Sequence, residues 1–279
     1  MVQILSGKAV AQKLKQDITV EIDILKSKGV IPTLGIVLVG DEEDSLSYAN
    51  SAKKRCETLG AGCNIFKFPA GINQDDLEKK ILELNENRDI HGYIIMKPLP
   101  SQINEKRIAE IIDPAKDIDC MTPKNIAKVF AGDNTGFSPC TARAVMEILN
   151  FYQIPIEGKR AVIIGRSMVV GRPLSMMLLK QNATVTICHT RTRDLAKEAK
   201  RADILIAAAG KAEMVTKDMV SPGTVVIDVG INFKDGRMVG DVLYEEVEKL
   251  ASAITPVPGG VGSVTTMVLL KQLVETCRK

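Results

Sequence analysis

The feature that most constrains this chain is an alternation of two apolar periods along its length. Helical spacing runs through Val10, Leu14, Ile18, Ile22 and Leu25 and stops at Gly29, and the segment that follows, PTLGIVLVG, is a nearly continuous apolar run of strand length. The exchange then repeats, with a helix expected over about 45–59, a strand over 63–68 and a helix over 74–85. HGYIIMKPLP is the next strand, stopped by Pro98 and Pro100, whose ring nitrogens have no hydrogen for a sheet ladder. Strands that alternate with helices predict an α/β fold with a mostly parallel sheet covered on both faces.

From 113 to 141 the texture changes to polar turns such as DPAKDIDC and AGDNTGFSPC with little sustained period, the best place for a domain junction. Alternation then resumes: a helix over about 142–152, the strand RAVIIG, a helix over 171–181, the strand TVTIC, a helix over 194–201, the strands DILIAAAG and TVVIDVG, and helices over about 243–250 and 261–277. A chain of 279 residues, 45% of them apolar, has room for two such α/β units. A net charge of +3 spread over that surface leaves no footprint for nucleic acid or an anionic membrane. No apolar run nears the roughly 18 residues of a membrane helix, and MVQILSGKAV turns polar too soon for a signal peptide, so a cytoplasmic protein is expected. The six cysteines are scattered without a CxxC pair and there are two histidines; buried thiols are expected, with no metal site and no disulfide framework.

In the second unit the strand AVIIG runs through RSMVVGRP into a helix, placing Gly165 where a first strand turns into its helix. There backbone N–H groups and the helix dipole point outward together, which suits a pyrophosphate. The segment is not GxGxxG: Gly165 and Gly171 stand six apart, with Arg166 and Ser167 adding a cation and a hydroxyl. Tight packing alone is an equally good reason for such a glycine pair. The second strand ends Cys188-His189-Thr190-Arg191-Thr192, without the carboxylate that holds an unphosphorylated ribose. Thr190, Arg191 and Arg166 favour NADP over NAD, the alternative being a solvated basic loop.

Taken together, GRSMVVGRP, CHTRT, ADILIAAAG, VVIDVGIN, GDV and TPVPGGVGSVT resemble the methylenetetrahydrofolate dehydrogenase/cyclohydrolase family. Tyr48 with its basic helix, IIMKPLP and PAKDIDC extend the resemblance to the first unit. It implies a folate-binding catalytic domain over 1–120, completed by a C-terminal helix at about 258–279, and a Rossmann-like NADP domain over 121–257. It further implies a cleft between them in which hydride passes from methylenetetrahydrofolate to NADP, followed by addition of water to the methenyl product. The cofactor residues implied are Gly165, Arg166, Ser167, Thr190, Arg191 and Ile231. For the reduced folate they are Tyr48, Ile95, Met96, Lys97, Asp119, Gly259, Gly260 and Val261, with Tyr48 stacking on the folate and Asp119 gripping the pterin's amino edge. A homodimer through the nucleotide domains is also implied.

Two positions depart from the family pattern. A lysine four residues after the tyrosine manages protons in the water step, and here that position is Ala52, with Lys53 and Lys54 following. A glutamine that holds this lysine is here Met96, and a thioether can neither donate a proton nor orient an ammonium. Cys120, Ala142 and Ala144 replace a glycine, a proline and a glycine, as packing substitutions. Taken singly, Tyr48 also reads as a half-buried helix tyrosine, Asp119 as a loop cap and Lys97 as a strand-end lysine. The readings open at this point are a dehydrogenase without cyclohydrolase activity, a bifunctional enzyme in which Lys53 or Lys97 stands in, a non-catalytic nucleotide or folate sensor, and another NADP oxidoreductase acting on a small acid.

Overall fold

The computed structural model describes residues 2–278. The first part of the chain forms β1 (Gln3–Ile4), α1 (Gly7–Ser27), β2 (Thr33–Val39), α2 (Glu43–Leu59), β3 (Gly62–Phe68), α3 (Gln74–Glu86), β4 (Gly92–Ile95), α4 (Glu105–Ile111) and α5 (Pro123–Ala131). There follow α6 (Cys140–Phe151), β5 (Arg160–Ile164), α7 (Gly171–Lys180), β6 (Thr184–Cys188), α8 (Leu195–Ala199), β7 (Ile204–Ala207) and β8 (Val225–Asp228). The hairpin β9 (Asn232–Lys234) and β10 (Arg237–Val239), α9 (Tyr244–Val247), β11 (Ala253–Ile254) and α10 (Thr265–Thr276) complete it. Two compact units result, one of residues up to Lys13, 129–132 and 139–267, the other of residues 14–128, 133–138 and from Val268 on.

The smaller sheet has the parallel order β3-β2-β4. Its central strand β2 is buried from Leu34 to Val39, as a strand covered on both faces must be. Val37, Leu77, Ile81, Ile90, Tyr93 and Ile108 form much of its core. Cutting one such side chain back to alanine typically costs about 2–5 kcal/mol. Within this unit Gln272 of α10 donates to the carbonyls of Ile118 (2.7 Å) and Ser138 (3.0 Å), which fastens α10 to the segments on either side of α5.

The larger sheet has six parallel strands in the order β1-β11-β8-β7-β5-β6. β1 lies beside β11, Gln3 facing Ala253, so the first strand of the chain belongs to the six-stranded unit. From β5 the chain steps to β6 on one side and returns to β7 on the other. The carboxyl ends of β5 and β7 therefore flank a topological switch point, the place where open α/β sheets bind ligands.

Several local expectations are corrected. Residues 113–141 are not without regular structure: they hold α5, started by Thr122, whose hydroxyl accepts from the Asn125 N–H at 3.2 Å, and by Pro123 in the first helical position. The helix expected over 243–250 is the single turn of α9, and the one over 261–277 begins at Thr265 after a 3-10 turn, Val261–Ser263. β1, β11 and the β9–β10 hairpin are two or three residues long, too short to show a period in sequence. All six cysteines are free thiols, but Cys63 and Cys277 are half-buried rather than buried.

Candidate functional site

In the six-stranded unit the cofactor candidates gather at the carboxyl edge of the sheet. Gly165 follows β5 with φ +136°, and its N–H donates to the Cys188 carbonyl of β6 at 2.9 Å. A Cβ on Gly165 would stand 2.1 Å from the carbonyl oxygen of Ala208, just past β7, and one on Gly171 would stand 2.1 Å from the Gly165 carbonyl oxygen. The two glycines therefore serve packing, and by doing so they draw the first turn of α7 down to the switch point. The turn itself displays Arg166 and Ser167, both exposed, followed by the exposed apolar side chains of Met168 and Val169. The Ser167 hydroxyl accepts from the Val170 N–H at 3.1 Å and shapes the loop into α7.

On the neighbouring strand, Thr190 and Arg191 are exposed in a turn tied together by Thr192, whose hydroxyl accepts from the His189 N–H at 2.8 Å. The Arg191 N–H donates to His189 Nδ1 at 3.1 Å. Two guanidinium groups and a hydroxyl thus stand at the ends of adjacent strands β5 and β6. This donor set fits a phosphate, and the glycine cradle at Gly165 fits the close approach of a pyrophosphate.

Two buried carboxylates at the same edge were not singled out from sequence. Asp241 accepts from the backbone N–H groups of Ala209 (2.6 Å), Gly210 (2.9 Å) and Lys211 (2.8 Å) and from the Asn232 amide (2.9 Å). Asp228, at the end of β8, accepts from Gly230 (3.0 Å), Asp241 (2.9 Å) and Val242 (2.9 Å). Burial pushes the Asp228 carboxyl up to about 6, its three N–H donors opposing and the Asp241 charge adding to the rise. Together they hold the loops after β7 and β8 at the switch-point edge. The signal available in sequence was the aspartate of VVIDVG followed thirteen residues later by that of GDV. Ile231, 57% exposed, lies in the loop so fixed.

The glycine-rich turn also belongs to this unit. The Gly259 carbonyl accepts from the Gly7 N–H at 2.8 Å, Gly260 is buried, and the Val261 side chain is in the core. Only backbone is available to a ligand there. An ideal Cβ on Gly262 would lie 3.4 Å from Ile231 Cδ1, so this turn and Ile231 are neighbours.

In the three-stranded unit the folate candidates lie near the carboxyl ends of β2 and β4. β2 leads into α2, which carries Tyr48, 38% exposed, and is closed by Gly60 with its N–H on the Cys56 and Glu57 carbonyls. Ile95 ends β4, and the Met96 N–H donates to the Val37 carbonyl at 2.9 Å. Beside β4, Asp117 pairs with Tyr93 and begins a turn that presents Asp119 as an exposed side chain. Asp117 itself is buried, accepting from Met121 (2.7 Å), Thr122 (2.8 Å) and the Asn125 amide (2.9 Å), and burial raises its carboxyl above the usual range despite these donors. Of the two aspartates in KDIDC, one builds the turn and the other is displayed by it. Cys120 closes the turn at φ +58°, a left-handed conformation that favours glycine, so the cysteine here is not a packing substitution alone.

The departing positions lie in the same region. Ala52 is 2% exposed on the buried face of α2 with Ala49, Cys56 and Leu59. Lys53 is exposed about 100° further round the helix. The Cys63 thiol is held below its usual value by a hydrogen bond with Cys56, burial opposing and the Lys53 charge adding to the fall. Lys97 Nζ is paired with Glu105 at 2.9 Å. Among the described residues no cluster of three or more His, Cys, Asp or Glu side chains could hold a metal ion, and no helix is long and apolar enough to cross a membrane.

Comparison with known families decides what this arrangement is. The tetrahydrofolate dehydrogenase/cyclohydrolase catalytic domain matches residues 5–119, and the NAD(P)-binding domain of the same family matches residues 139–279. The chain belongs to the tetrahydrofolate dehydrogenase/cyclohydrolase family. It is 51% identical over 280 aligned positions to the bifunctional protein FolD of Carboxydothermus hydrogenoformans, covering 99% of this chain and 98% of that one. The crystal structure of the bifunctional methylenetetrahydrofolate dehydrogenase/cyclohydrolase FolD of Campylobacter jejuni superposes with a TM-score of 0.98 at 42% identity, covering 100% and 99% of the two chains. The Trypanosoma brucei dehydrogenase-cyclohydrolase, complexed with NADP cofactor and inhibitor, gives 0.92 at 34% identity, covering 99% and 97%. In family terms the switch-point edge described above belongs to the NAD(P)-binding domain, and α2, β4 and Asp119 belong to the catalytic domain.

Proposed function

We propose that this chain is an NADP-dependent methylenetetrahydrofolate dehydrogenase whose cyclohydrolase step is weak or lost. The observation that carries the reading is an asymmetry between its two halves. The phosphate-facing set, Arg166, Thr190 and Arg191 around the Gly165 cradle, is complete, while the two polar positions of the water step are Ala52 and Met96. Bound NADP supplies the acceptor for the hydride that leaves the methylene carbon of the folate. The protein's own share of that step is alignment of two rings and exclusion of water. Arg191 and Arg166 hold the 2′-phosphate, with Thr190 donating its hydroxyl. Asp119 accepts from the amino-pyrimidine edge of the folate and Tyr48 stacks against its ring. Ile231 and the backbone of Gly259, Gly260 and Val261 contribute apolar contact and shape.

Water addition asks more, because a proton must be taken up and released at a fixed place. The Ala52 methyl and the Met96 thioether supply no such group. Lys97 is paired with Glu105 at 2.9 Å, and Lys53 is exposed about 100° round the helix from position 52. A bifunctional reading, with Lys53 or Lys97 as substitute, is favoured by the bifunctional names of the relatives. Following absorbance while purified protein meets methylenetetrahydrofolate with NADP or with NAD separates the readings. Accumulating methenyl product with NADP supports the proposal, and product consumed faster than its spontaneous hydrolysis supports the bifunctional enzyme. Six free thiols suit a reducing cytoplasm. The 75% exposed Phe233 of the β9–β10 hairpin supports a homodimer through the nucleotide domain, which light scattering on the purified protein checks.

A further inference from the structure

The six-stranded unit has a second recess, at the opposite edge of its sheet from the switch point. Where β5, β7, β8 and β11 begin, a cavity of about 680 Å³ opens, in the range that takes nucleotide-sized ligands. Lys159, Arg160, Lys200 and Arg201 line it, against one carboxylate, Asp203. That carboxylate is already engaged, accepting from the Arg160 N–H at 2.8 Å. Arg201 is paired with Glu198 at 3.2 Å on the surface, a contact of little strength in water. Among the described residues Lys159, Arg160 and Lys200 have no carboxylate within 4.0 Å. Four cations against one lining carboxylate leave an excess of positive charge in the recess, which a bound anion offsets.

The walls are fixed rather than loose. Ser221 donates to the Lys200 carbonyl (2.8 Å), Thr224 to the Ala202 carbonyl (3.1 Å) and Ser252 to the Gly223 carbonyl (2.7 Å). These bonds tie the approaches to β7, β8 and β11 to one another, so the backbone under the cations is already in place. On one side the lining is apolar, with Ile154, Pro155 and Pro222. Four cations beside an apolar wall match a molecule with several phosphates and a ring.

We propose that this recess binds a polyphosphorylated small molecule of the nucleoside polyphosphate class, at a site separate from the dinucleotide edge. The five-residue strand β5 separates the two, roughly 17 Å at about 3.3 Å per residue. Both can therefore be filled together. Nothing in this proposal depends on the folate reading.

The test is equilibrium dialysis of labelled ATP against the full-length protein, with and without saturating NADP, at 0.15 M salt. Inorganic tripolyphosphate and adenosine serve as competitors. The expected result is saturable binding of one ATP per chain that persists with NADP present and is displaced by tripolyphosphate but not by adenosine. Lys159→Gln with Lys200→Gln should weaken it at least tenfold, with the dehydrogenase rate and the melting temperature unchanged. Lys159→Arg with Lys200→Arg should keep it. ATP that binds only when NADP is absent would place the interaction at the dinucleotide edge and overturn the proposal. Equal binding to the glutamine variant, or no binding at millimolar ATP, overturns it too.

Discussion

Gly165 and Ala208 meet backbone to backbone at the switch point, with room for a hydrogen but not for a methyl group: a Cβ on Gly165 would lie 2.1 Å from the Ala208 carbonyl oxygen. The φ of +136° adds strain that an L side chain cannot relieve. Gly165→Ala must push β5 and β7 apart at their carboxyl ends, at a cost of at least about 2 kcal/mol. The expected outcome is a lower melting temperature together with a smaller rise on adding NADP. A variant that melts and binds NADP like the parent would show that the close approach is not needed.

Arg191 tests the cofactor preference. A guanidinium bonded to a phosphate is worth about 1.5–3 kcal/mol, or about 10–150-fold in affinity. Arg191→Ala should lose that much for NADP and nothing for NAD, read by fluorescence titration of both reduced cofactors. Equal losses for the two would mean that Arg191 acts on the loop and not on the 2′-phosphate.

Asp119 is displayed by a turn that Asp117 builds, which separates a binding role from a folding role. Asp119→Asn replaces an acceptor with a donor that faces the donors of the amino-pyrimidine edge. Dehydrogenase kcat/KM for the folate should fall by about 10–150-fold, with NADP affinity and melting temperature kept. Asp117→Asn should instead lower the melting temperature, since its carboxylate serves three donors at once. An Asp119→Asn enzyme with normal folate kinetics removes this residue from the site.

The alternation that defines the fold was legible because helices of 17 to 21 residues such as α1 and α2, and buried runs such as β2, repeat their pattern often enough to be seen. α5 escaped because its nine residues span little more than two turns, although Thr122 and Pro123 announce its start. The nucleotide turn was legible from Gly165 and Arg191, which are close in sequence to the strands that carry them. Asp228 and Asp241 were not, because their work is done across thirteen residues of chain and only the fold brings Ala209, Gly210 and Lys211 to the Asp241 carboxylate. Asp117 and Asp119 look alike in sequence. Burial of the one and exposure of the other tell them apart.

The buried Asp228 makes a specific prediction about pH. Its carboxyl is raised from 3.8 to about 6, so between those values the folded protein holds a proton that the unfolded chain has released. Stability from this group is therefore full below about pH 4 and declines as pH rises to about 6, by on the order of 3 kcal/mol at 1.36 kcal/mol per unit. Asp228→Asn cannot titrate and should not show this decline. Its melting curves, subtracted from those of the parent between pH 4 and pH 7, should reveal a parent advantage that shrinks with rising pH. Parallel curves would mean that the carboxyl ionises normally.

The last prediction concerns the separation of the two family activities. Ala52 faces inward beside Cys56, one turn after Tyr48, and Met96 begins the segment that follows β4. Placing a lysine at 52 sends a flexible stem out of a buried position, and its ammonium needs an acceptor to fix it where a proton is exchanged. Met96→Gln supplies an amide oxygen for that purpose. Ala52→Lys alone should raise hydrolysis of methenyltetrahydrofolate modestly, and Ala52→Lys with Met96→Gln should raise it further, toward the about 10²–10⁴-fold that positioned acid–base help provides. The dehydrogenase rate should stay within a few-fold, because hydride transfer needs no proton handled at either position and a glutamine at 96 has nearly the length of the methionine it replaces. The substitute cation is checked by Lys97→Met and Lys53→Met. If the parent protein hydrolyses the methenyl product well above background and either methionine variant abolishes this, the proton is handled by that lysine and the two activities were never separated.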